Sequence, residues 1–306
     1  MDLFCDRLKK LSDKVCLGEP MRKHTTFRVG GPADYFVTPK TAGELAAVIR
    51  LCREQEKPYF ILGNGSNLLV SDQGYRGVVI HVGRAFEEIR IRDNRVMAGA
   101  GASLAKVALG AKDAGLAGLE FASGIPGTIG GALVMNAGAY GGEMAQVVCG
   151  ALVLTREGEE KHLDSSELQM GYRKSCILPK EYVVTEVELC LSFGDRDEIC
   201  SKMEELAARR KEKQPLEYPS AGSTFKRPEG YFAGKLIMDA GLRGFSVGGA
   251  CVSEKHCGFV VNKGGASSAD ILELCRRVRA QVREKFGVSL ELEIRLLGEF
   301  ESPFEG

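Results

Sequence analysis

A glycine-dense run that spans residues 120–143 constrains the fold of this chain more than any other stretch. Ile125, Pro126, Ile129 and Leu133 give the run an apolar content that a flexible linker lacks. Glycines among packing residues indicate backbone that lies close to another group, with amides pointing at it. Phosphates are common ligands of such backbone, so the run predicts a chain built around a nucleotide or dinucleotide.

Composition sets limits on the class of protein. At 306 residues the chain is long enough for two or three domains with cores of their own. A formal net charge of +0 and a pI of about 6.9 argue against a generally basic nucleic-acid-binding surface. No apolar stretch is long enough to span a bilayer, and the first residues lack the apolar region of a secretory signal. We therefore expect a cytoplasmic protein that binds neither nucleic acid nor membrane.

The ten cysteines allow two interpretations, a disulfide framework or free thiols. There is no Cys-x-x-Cys, and Cys52, Cys149, Cys190 and Cys275 fall within apolar periodic segments, where cysteine acts as a small hydrophobe. This pattern favours free thiols in a reducing compartment. The four histidines are scattered without the spacing of metal ligands, so no metal site is predicted.

Hydrophobic periodicity predicts a mixed α+β chain. Helices are predicted over 41–57, 103–114, 195–213, 232–240 and 268–286, and strands over 59–62, 77–82, 147–155, 182–193, 258–262 and 289–296. In the last strand, alternation places Leu290, Leu292, Ile294 and Leu296 on one face and Glu291, Glu293 and Arg295 on the other. We expect domain boundaries near residues 97 and 206, giving domains at 1–97, 98–205 and 206–306.

The segment Gly63–Leu68 follows a predicted strand, as a phosphate-binding loop should. It lacks the third glycine of a dinucleotide fingerprint at position 68, and no clear helix follows it. A Rossmann site is therefore disfavoured. Two glycines with Asn and Ser still suit a pyrophosphate, and a plain hairpin turn remains the alternative.

Other candidate motifs have simpler interpretations. The Gly-x-Ser-x-Gly pattern at Gly244–Gly248 follows a predicted helix rather than a strand, which argues against a hydrolase. The basic run Arg209–Lys213 suits the C-terminus of a helix, and most of it is expected to be a solvated face. Taken singly, Arg173, Ser223 and Glu293 are an ordinary surface arginine, turn serine and strand glutamate.

Several ordered blocks give these residues a common context. The blocks are His24–Ala33, Leu62–Leu69, Ser123–Gly131, Asn136–Glu143, Gly171–Ser175, Ser220–Phe225 and Val252–His256. From about His24 to Glu299 the chain resembles the UDP-N-acetylenolpyruvoylglucosamine reductase family, flavoenzymes of bacterial peptidoglycan precursor synthesis. The compact span between Arg173 and Ser223 resembles the shorter subclass of that family.

The resemblance implies an FAD-binding fold of the vanillyl-alcohol-oxidase (PCMH) type. Two α+β subdomains would hold FAD, and a C-terminal α+β domain would bind the substrate. The residues that the resemblance assigns to FAD are Gly63, Asn64, Gly65, Ser66, Asn67, Leu68, Ser123, Gly124, Ile125, Pro126, Gly127, Thr128, Gly130 and Gly131.

The resemblance also assigns catalytic roles to Arg173, Ser223 and Glu293. NADPH would supply hydride through FAD to C3 of the enolpyruvyl group of UDP-N-acetylglucosamine enolpyruvate. Arg173, permanently charged and forked, suits the negative charge that develops, and Glu293 would share that role. Ser223 would protonate C2, giving UDP-N-acetylmuramate.

Substrate contacts are assigned in the same way to Tyr140, Tyr172, Lys213 and Arg227. The last differs from the family pattern, in which asparagine is frequent at that position. Two other functions stay open: a flavin oxidase with another substrate, which would not need the Arg173 block, and a nucleotide-sugar-binding protein without catalysis. A monomer or weak homo-oligomer is expected.

Overall fold

The structure is a computed structural model that describes residues 2–300 of the chain. The chain forms two compact units, each assembled from separate segments. The first contains Met1–Cys16, Tyr35–Asn64 and Gly77–Arg210, and the second contains Leu17–Asp34, Gly65–Arg76 and Lys211–Gly306. Each unit has its own hydrophobic core.

The described residues contain both helices and strands. The helices are α1 Leu3–Leu11, α2 Ala42–Glu54, α3 Leu104–Asp113, α4 Ile129–Val134, α5 Arg196–Lys213, α6 Ala233–Asp239 and α7 Ser268–Phe286. The strands are β1 Val15–Pro20, β2 Pro32–Val37, β3 Tyr59–Leu62, β4 Leu68–Val70, β5 Tyr75–His81, β6 Ile89–Arg92, β7 Arg95–Gly99, β8 Leu116–Ala117, β9 Gly138–Ala139, β10 Gly142–Glu143, β11 Val148–Leu154, β12 Glu160–Asp164, β13 Val183–Cys190, β14 Ser192–Phe193, β15 Ser246–Val247, β16 Ala250–Val252, β17 Val260–Asn262 and β18 Arg295–Leu297.

The two largest sheets have four and five strands. One has four strands in the order β1-β2-β5-β3, with β3 parallel to β5. The other is a five-stranded antiparallel sheet in the order β12-β11-β13-β7-β6. Smaller sheets are β15-β16-β17, β18-β4, β14-β8 and β10-β9. The predicted strand over 182–193 is therefore two strands, β13 and β14, which pair with different partners.

Helix α2 shows how local sequence determines the first core. The Thr41 side chain caps the helix by accepting a hydrogen bond from the Glu44 amide at 3.1 Å. Leu45 and Ile49, four residues apart, are completely buried against the rest of the first core. The helix starts where the sequence predicts and ends three residues earlier, at Glu54.

Helix α7 provides one side of the second core. Ser267 and Asp270 form a capping box at its start, and Gly287 ends it in the left-handed conformation at φ +70°. The inward side chains Ile271, Leu272, Cys275, Val278 and Val282 are the ones that the periodicity predicts. The predicted bounds of this helix are confirmed.

The last predicted strand is wrong over most of its length. Only Arg295–Leu297 forms a strand, parallel to β4, and the preceding residues make a single bridge between Leu292 and Phe225. The polar face of the prediction is not a solvent face either, because Glu293 and Arg295 are half-buried. The chain changes pairing partner between Leu292 and Arg295, which alternation alone does not reveal.

Among residues 2–300, no helix is both long enough and apolar enough to cross a bilayer.

Candidate functional site

Gly63, the first residue of one predicted cofactor segment, lies against Thr128 of the other, and both residues belong to the first unit. A Cβ built on Gly63 would lie 2.7 Å from the Thr128 Oγ1. Strand β3 pairs with β5 whereas β4 pairs with β18, so the loop between β3 and β4 is not a hairpin turn. The hairpin alternative is therefore excluded.

The backbone of the second segment, 123–131, retains free donors. Within residues 2–300, the amides of Gly124, Gly127 and Thr128 donate no hydrogen bond to protein. The amides of Gly130 and Gly131 are already occupied, by the Ala100 carbonyl at 3.0 Å and the Thr128 hydroxyl at 3.3 Å. Uncharged N–H donors beside hydroxyl groups match the needs of a diphosphate, so the segment fits a dinucleotide cofactor.

The predicted cofactor segment that begins at Gly63 continues into the second unit, where its backbone conformation depends on Gly65. Gly65 adopts φ +59°, and a Cβ there would lie 2.0 Å from the His24 carbonyl oxygen. Only glycine fits that approach. The Gly65 carbonyl accepts a hydrogen bond from the Thr26 amide at 3.2 Å, which fixes the loop to the block that begins at His24.

Arg173 lies in a tight turn whose ends exchange two backbone hydrogen bonds. The Gly171 amide donates to the Lys174 carbonyl at 3.0 Å, and the Lys174 amide donates to the Gly171 carbonyl at 3.1 Å. Arg173 adopts φ +54° in this turn, a strained conformation for a residue with a Cβ. Its guanidinium carbon lies 5.2 Å from the centre of the exposed Tyr172 ring. The turn thus presents an arginine and a tyrosine together.

Asn136, to which the sequence assigns no role of its own, holds the turn of Arg173. Its side chain is buried, donates to the Gly171 carbonyl at 3.1 Å and accepts from the Ala145 amide at 2.9 Å. Asn136 itself has φ +42°, a conformation that asparagine tolerates better than most residues. The glycine-dense run therefore supports both the cofactor segment and the arginine turn.

Ser223 and Glu293 lie on adjoining segments of the second unit. The Glu293 amide donates to the carbonyl of Thr224, the residue after Ser223, at 2.9 Å. The Asn67 side chain donates to the Glu293 carbonyl at 3.1 Å. Both Ser223 and Glu293 are half-buried. A residue predicted to bind cofactor is thus hydrogen-bonded to a residue predicted to be catalytic.

Strand β17 and Gly258, just before it, hydrogen-bond to Thr224, the residue after Ser223. The Thr224 amide donates to the Gly258 carbonyl and the Val260 amide donates to the Thr224 hydroxyl, both at 2.9 Å. Thr224 is completely buried. The backbone beside Ser223 is therefore held by β17 and by the segment of Glu293, as a preorganised site requires.

The predicted substrate-binding residues occupy different surroundings. Tyr140, at φ +54°, is partly exposed in the first unit, and the Arg209 guanidinium lies 5.2 Å from its ring centre. In the second unit, Lys213 is exposed at the end of α5, and the Arg227 guanidinium lies 4.0 Å from the ring centre of Phe232. All three side chains are accessible to a ligand.

Arg210 is a second residue that sequence reasoning misses. Its half-buried side chain faces Gly124, since a Cβ on that glycine would lie 3.2 Å from Nη1. Burial lowers the pKa of the Arg210 guanidinium, and the Tyr140 hydroxyl acts in the opposite direction. The sequence did contain a signal, because Arg210 follows the buried Met203 and Leu206 on the inward face of α5.

Within the part of the chain that the structure describes, no cluster of three His, Cys, Asp or Glu side chains could hold a metal ion. All ten cysteines are free thiols.

Family models match two parts of this chain. A family model described as an FAD binding domain matches residues 33–164. Residues 214–297 match the C-terminal domain of UDP-N-acetylenolpyruvoylglucosamine reductase. The predicted FAD-binding α+β fold with a C-terminal domain is confirmed.

Curated proteins similar to this chain carry one name, UDP-N-acetylenolpyruvoylglucosamine reductase. That of Agathobacter rectalis is 56% identical over 294 residues, covering 92% of this chain and 93% of the relative. That of Lachnoclostridium phytofermentans is 53% identical and covers 95% and 96%. Among solved structures, the crystal structure of the reductase from Thermus caldophilus has a TM-score of 0.79 and 40% identity, covering 93% of this chain and 98% of that one.

Proposed function

Because the chain belongs to the UDP-N-acetylenolpyruvoylglucosamine reductase family, we propose that it reduces UDP-N-acetylglucosamine enolpyruvate to UDP-N-acetylmuramate with NADPH. It is an FAD-dependent oxidoreductase of peptidoglycan precursor synthesis. The observation that carries the proposed residue roles is the linkage of Ser223 to Glu293 through the Glu293–Thr224 hydrogen bond. It supports a site in which an acid and a carboxylate act on the same substrate.

The cofactor roles rest on the free amides and on the close approach of the two segments. Gly63 to Leu68 and Ser123 to Gly131 would hold FAD, with Gly124, Gly127 and Thr128 supplying amide donors to its diphosphate. FAD bound there would supply hydride chemistry, linking NADPH as the donor to C3 of the enolpyruvyl group as the acceptor.

Arg173 would stabilise the negative charge that forms as C3 gains hydride. That charge spreads over C2 and the adjacent carboxylate, and a guanidinium fork matches two carboxylate oxygens. The tight turn and Asn136 preorganise the arginine, so little reorganisation is needed as the charge develops. Tyr172 stacks on the same guanidinium and restricts its orientation.

Ser223 would give its hydroxyl proton to C2. A serine hydroxyl is a weak acid, but a carbanion-like C2 is a strong base, so transfer is favourable when the two atoms are held in contact. The buried hydrogen bonds of Thr224 immobilise the backbone beside Ser223. Glu293, held by Thr224 and Asn67, would assist at the same carbon or at the carboxylate.

The nucleotide part of the substrate would be bound by Tyr140, Tyr172, Lys213 and Arg227. Two lines of argument support this assignment: each side chain is exposed, and the set combines aromatic surfaces for a base or sugar with cations for a diphosphate. We propose that residues 206–306 contribute the substrate-binding domain. The Arg227 guanidinium would form a bidentate, charged hydrogen-bonded pair with a phosphate.

The two alternative functions make different predictions. A flavin oxidase removes hydride from its substrate and gains nothing from a preorganised arginine that faces a developing carboxylate charge. A binding protein without catalysis has no use for a serine held beside a glutamate. The hydrogen bonds made by Asn136 and Thr224 therefore favour the reductase.

The test measures flavin binding and the positions at which the product gains hydrogen from water. Purified protein should show a flavin absorbance spectrum, or acquire one when FAD is added. Turnover with NADPH in D₂O should give a product that carries a solvent deuteron at C2, where the proton is added, whereas C3 gains solvent deuterium only to the extent that the hydrogen held by the flavin exchanges with water before transfer. A product without deuterium at C2, or NADPH oxidation that the enolpyruvyl substrate does not accelerate, would contradict the proposal. Without flavin binding, both flavoenzyme alternatives fail.

A further inference from the structure

We propose that Arg210 binds a diphosphate at the Gly124 end of the segment 123–131. This inference rests on the proposed function and adds a residue and a ligand chemistry to it. Arg210 lies in the basic run at the end of α5, most of which is exposed.

Arg210 points inward because of the helical period. The buried residues of α5 are Ile199, Met203 and Leu206, at intervals of four and three residues. Four residues after Leu206 comes Arg210, on the same face. The preceding Arg209 is exposed and makes an ion pair with Glu205, the usual environment of a surface arginine.

The Arg210 side chain lies directly against the cofactor segment. A Cβ built on Gly124 would lie 3.0 Å from Cδ, 3.2 Å from Nη1 and 3.7 Å from Nε of the arginine. Glycine at 124 therefore leaves room for the guanidinium to sit beside the backbone. The Gly124 amide, which donates no hydrogen bond within residues 2–300, is an anion-binding group in the same place.

No protein group in the described residues neutralises this guanidinium. Arg210 makes no ion pair there, and the group that acts on its charge is the Tyr140 hydroxyl rather than a carboxylate. A half-buried charge without a counter-charge is costly, and such groups are found where a ligand supplies the missing charge. A forked cation beside a free amide matches a phosphate oxygen pair.

Two molecules of the proposed reaction carry a diphosphate, the dinucleotide cofactor and the UDP-sugar substrate. Gly124 belongs to the segment proposed for the cofactor, whereas Tyr140 is proposed for the substrate. The chemistry at Arg210 is the same in both cases, and two pairs of probes separate the sources. FAD and riboflavin differ by the diphosphate and adenosine, and UDP and uridine differ by the diphosphate.

The experiment measures binding rather than turnover. FAD and riboflavin are titrated into flavin-free protein by fluorescence, and UDP and uridine into the holoenzyme by calorimetry. Arg210→Gln should weaken either FAD or UDP about 10- to 100-fold and leave the matching phosphate-free probe unchanged. Arg196→Gln is the matched control, since Arg196 lies on the same helix in an exposed ion pair with Asp113 at 3.1 Å.

Weaker FAD binding assigns Arg210 to the cofactor, and weaker UDP binding assigns it to the substrate; both support the proposal. Affinities for FAD and UDP within about twofold of wild type would overturn it. A wild-type protein that binds both ligands but forms no product would overturn the proposed function and leave this inference standing.

Stability separates a ligand-binding arginine from a structural one. Removal of an uncompensated half-buried charge should leave the melting temperature of ligand-free Arg210→Gln equal to or above that of wild type. A lower melting temperature with unchanged affinities indicates a packing role. If Arg210→Gln fails to fold, Gly124→Ala provides the test, because its methyl group would press on the arginine side chain and shift it by a few tenths of an ångström. It should weaken the same probe, whereas unchanged binding with a displaced arginine contradicts the proposal.

Discussion

Asn136 offers a test of how the arginine turn is positioned. Asn136→Ala removes the hydrogen bonds to Gly171 and Ala145 and leaves alanine at φ +42°. Water can reach both backbone partners in part, so each lost bond should cost about 1 kcal/mol. The left-handed backbone adds about 1 kcal/mol for a residue with a Cβ. The free energy of unfolding should therefore fall by about 3 kcal/mol.

A second substitution separates these contributions. Asn136→Gly loses the same hydrogen bonds but adopts positive φ without strain, so it should be less damaging than alanine by roughly 0.5–1 kcal/mol. Urea denaturation of the two variants measures the difference. A glycine variant less stable than the alanine variant would refute the backbone part of the reasoning.

The catalytic consequence follows from the position of Arg173. Without its bond to Asn136 the turn should sample other orientations, and kcat should fall on the order of 10- to 100-fold while FAD binding is retained. Asn94→Ala is the matched control, because Asn94 also donates to a backbone carbonyl, that of Leu191 at 3.0 Å. It should lose about 1 kcal/mol of stability and keep its kcat. An Asn136→Ala variant that is destabilised but fully active would refute the positioning argument.

Three further outcomes follow from individual residues. Gly65→Ala places a Cβ 2.0 Å from the His24 carbonyl oxygen and should yield protein without flavin absorbance. Gly43→Ala in α2, whose Cβ would make only an ordinary 3.8 Å contact with the Thr41 Oγ1, should keep it. Burial lowers the pKa of His256 below its ordinary value of 6.5. The folded state therefore favours the neutral imidazole, and the free energy of unfolding decreases as the pH falls through the window below 6.5. His256→Asn should therefore flatten the decline in unfolding free energy in that window, and an unchanged decline in urea titrations would contradict the assignment. A disulfide reagent at neutral pH should label Cys16, the exposed thiol, fastest. If Cys16→Ser still shows the fast labelling phase, the assignment of that phase to Cys16 is contradicted.

The elements that the sequence predicts best are those determined by neighbouring residues. Helix α7 begins at a capping box and ends at a left-handed glycine, and both signals lie within its own segment. The segment before β18 shows the opposite case. Its alternation predicts a long strand, but Leu292 pairs with Phe225 and Arg295 with Leu68, and neither partner is near in sequence.

The site residues also divide into those that local sequence reveals and those that depend on distant partners. The glycine segments stand out in the sequence because glycine between packing residues is unusual. Asn136 and Arg210 do not stand out, because their roles depend on a carbonyl in a distant turn and on a glycine in another segment. In the sequence, Arg210 cannot be distinguished from the exposed residues of the same basic run, because its burial depends on what the helix packs against.

The most direct test of the central claim is a comparison of the two half-reactions in Ser223→Ala. Rapid mixing with NADPH, then with the enolpyruvyl substrate, measures each step through flavin absorbance. Ser220→Ala, in the same segment, is the control and should match wild type in both steps. If Ser223 is the acid, its loss should leave the NADPH step within about twofold of wild type and slow the substrate step at least about 100-fold. An equal loss in both steps, or none in the second, would contradict the account.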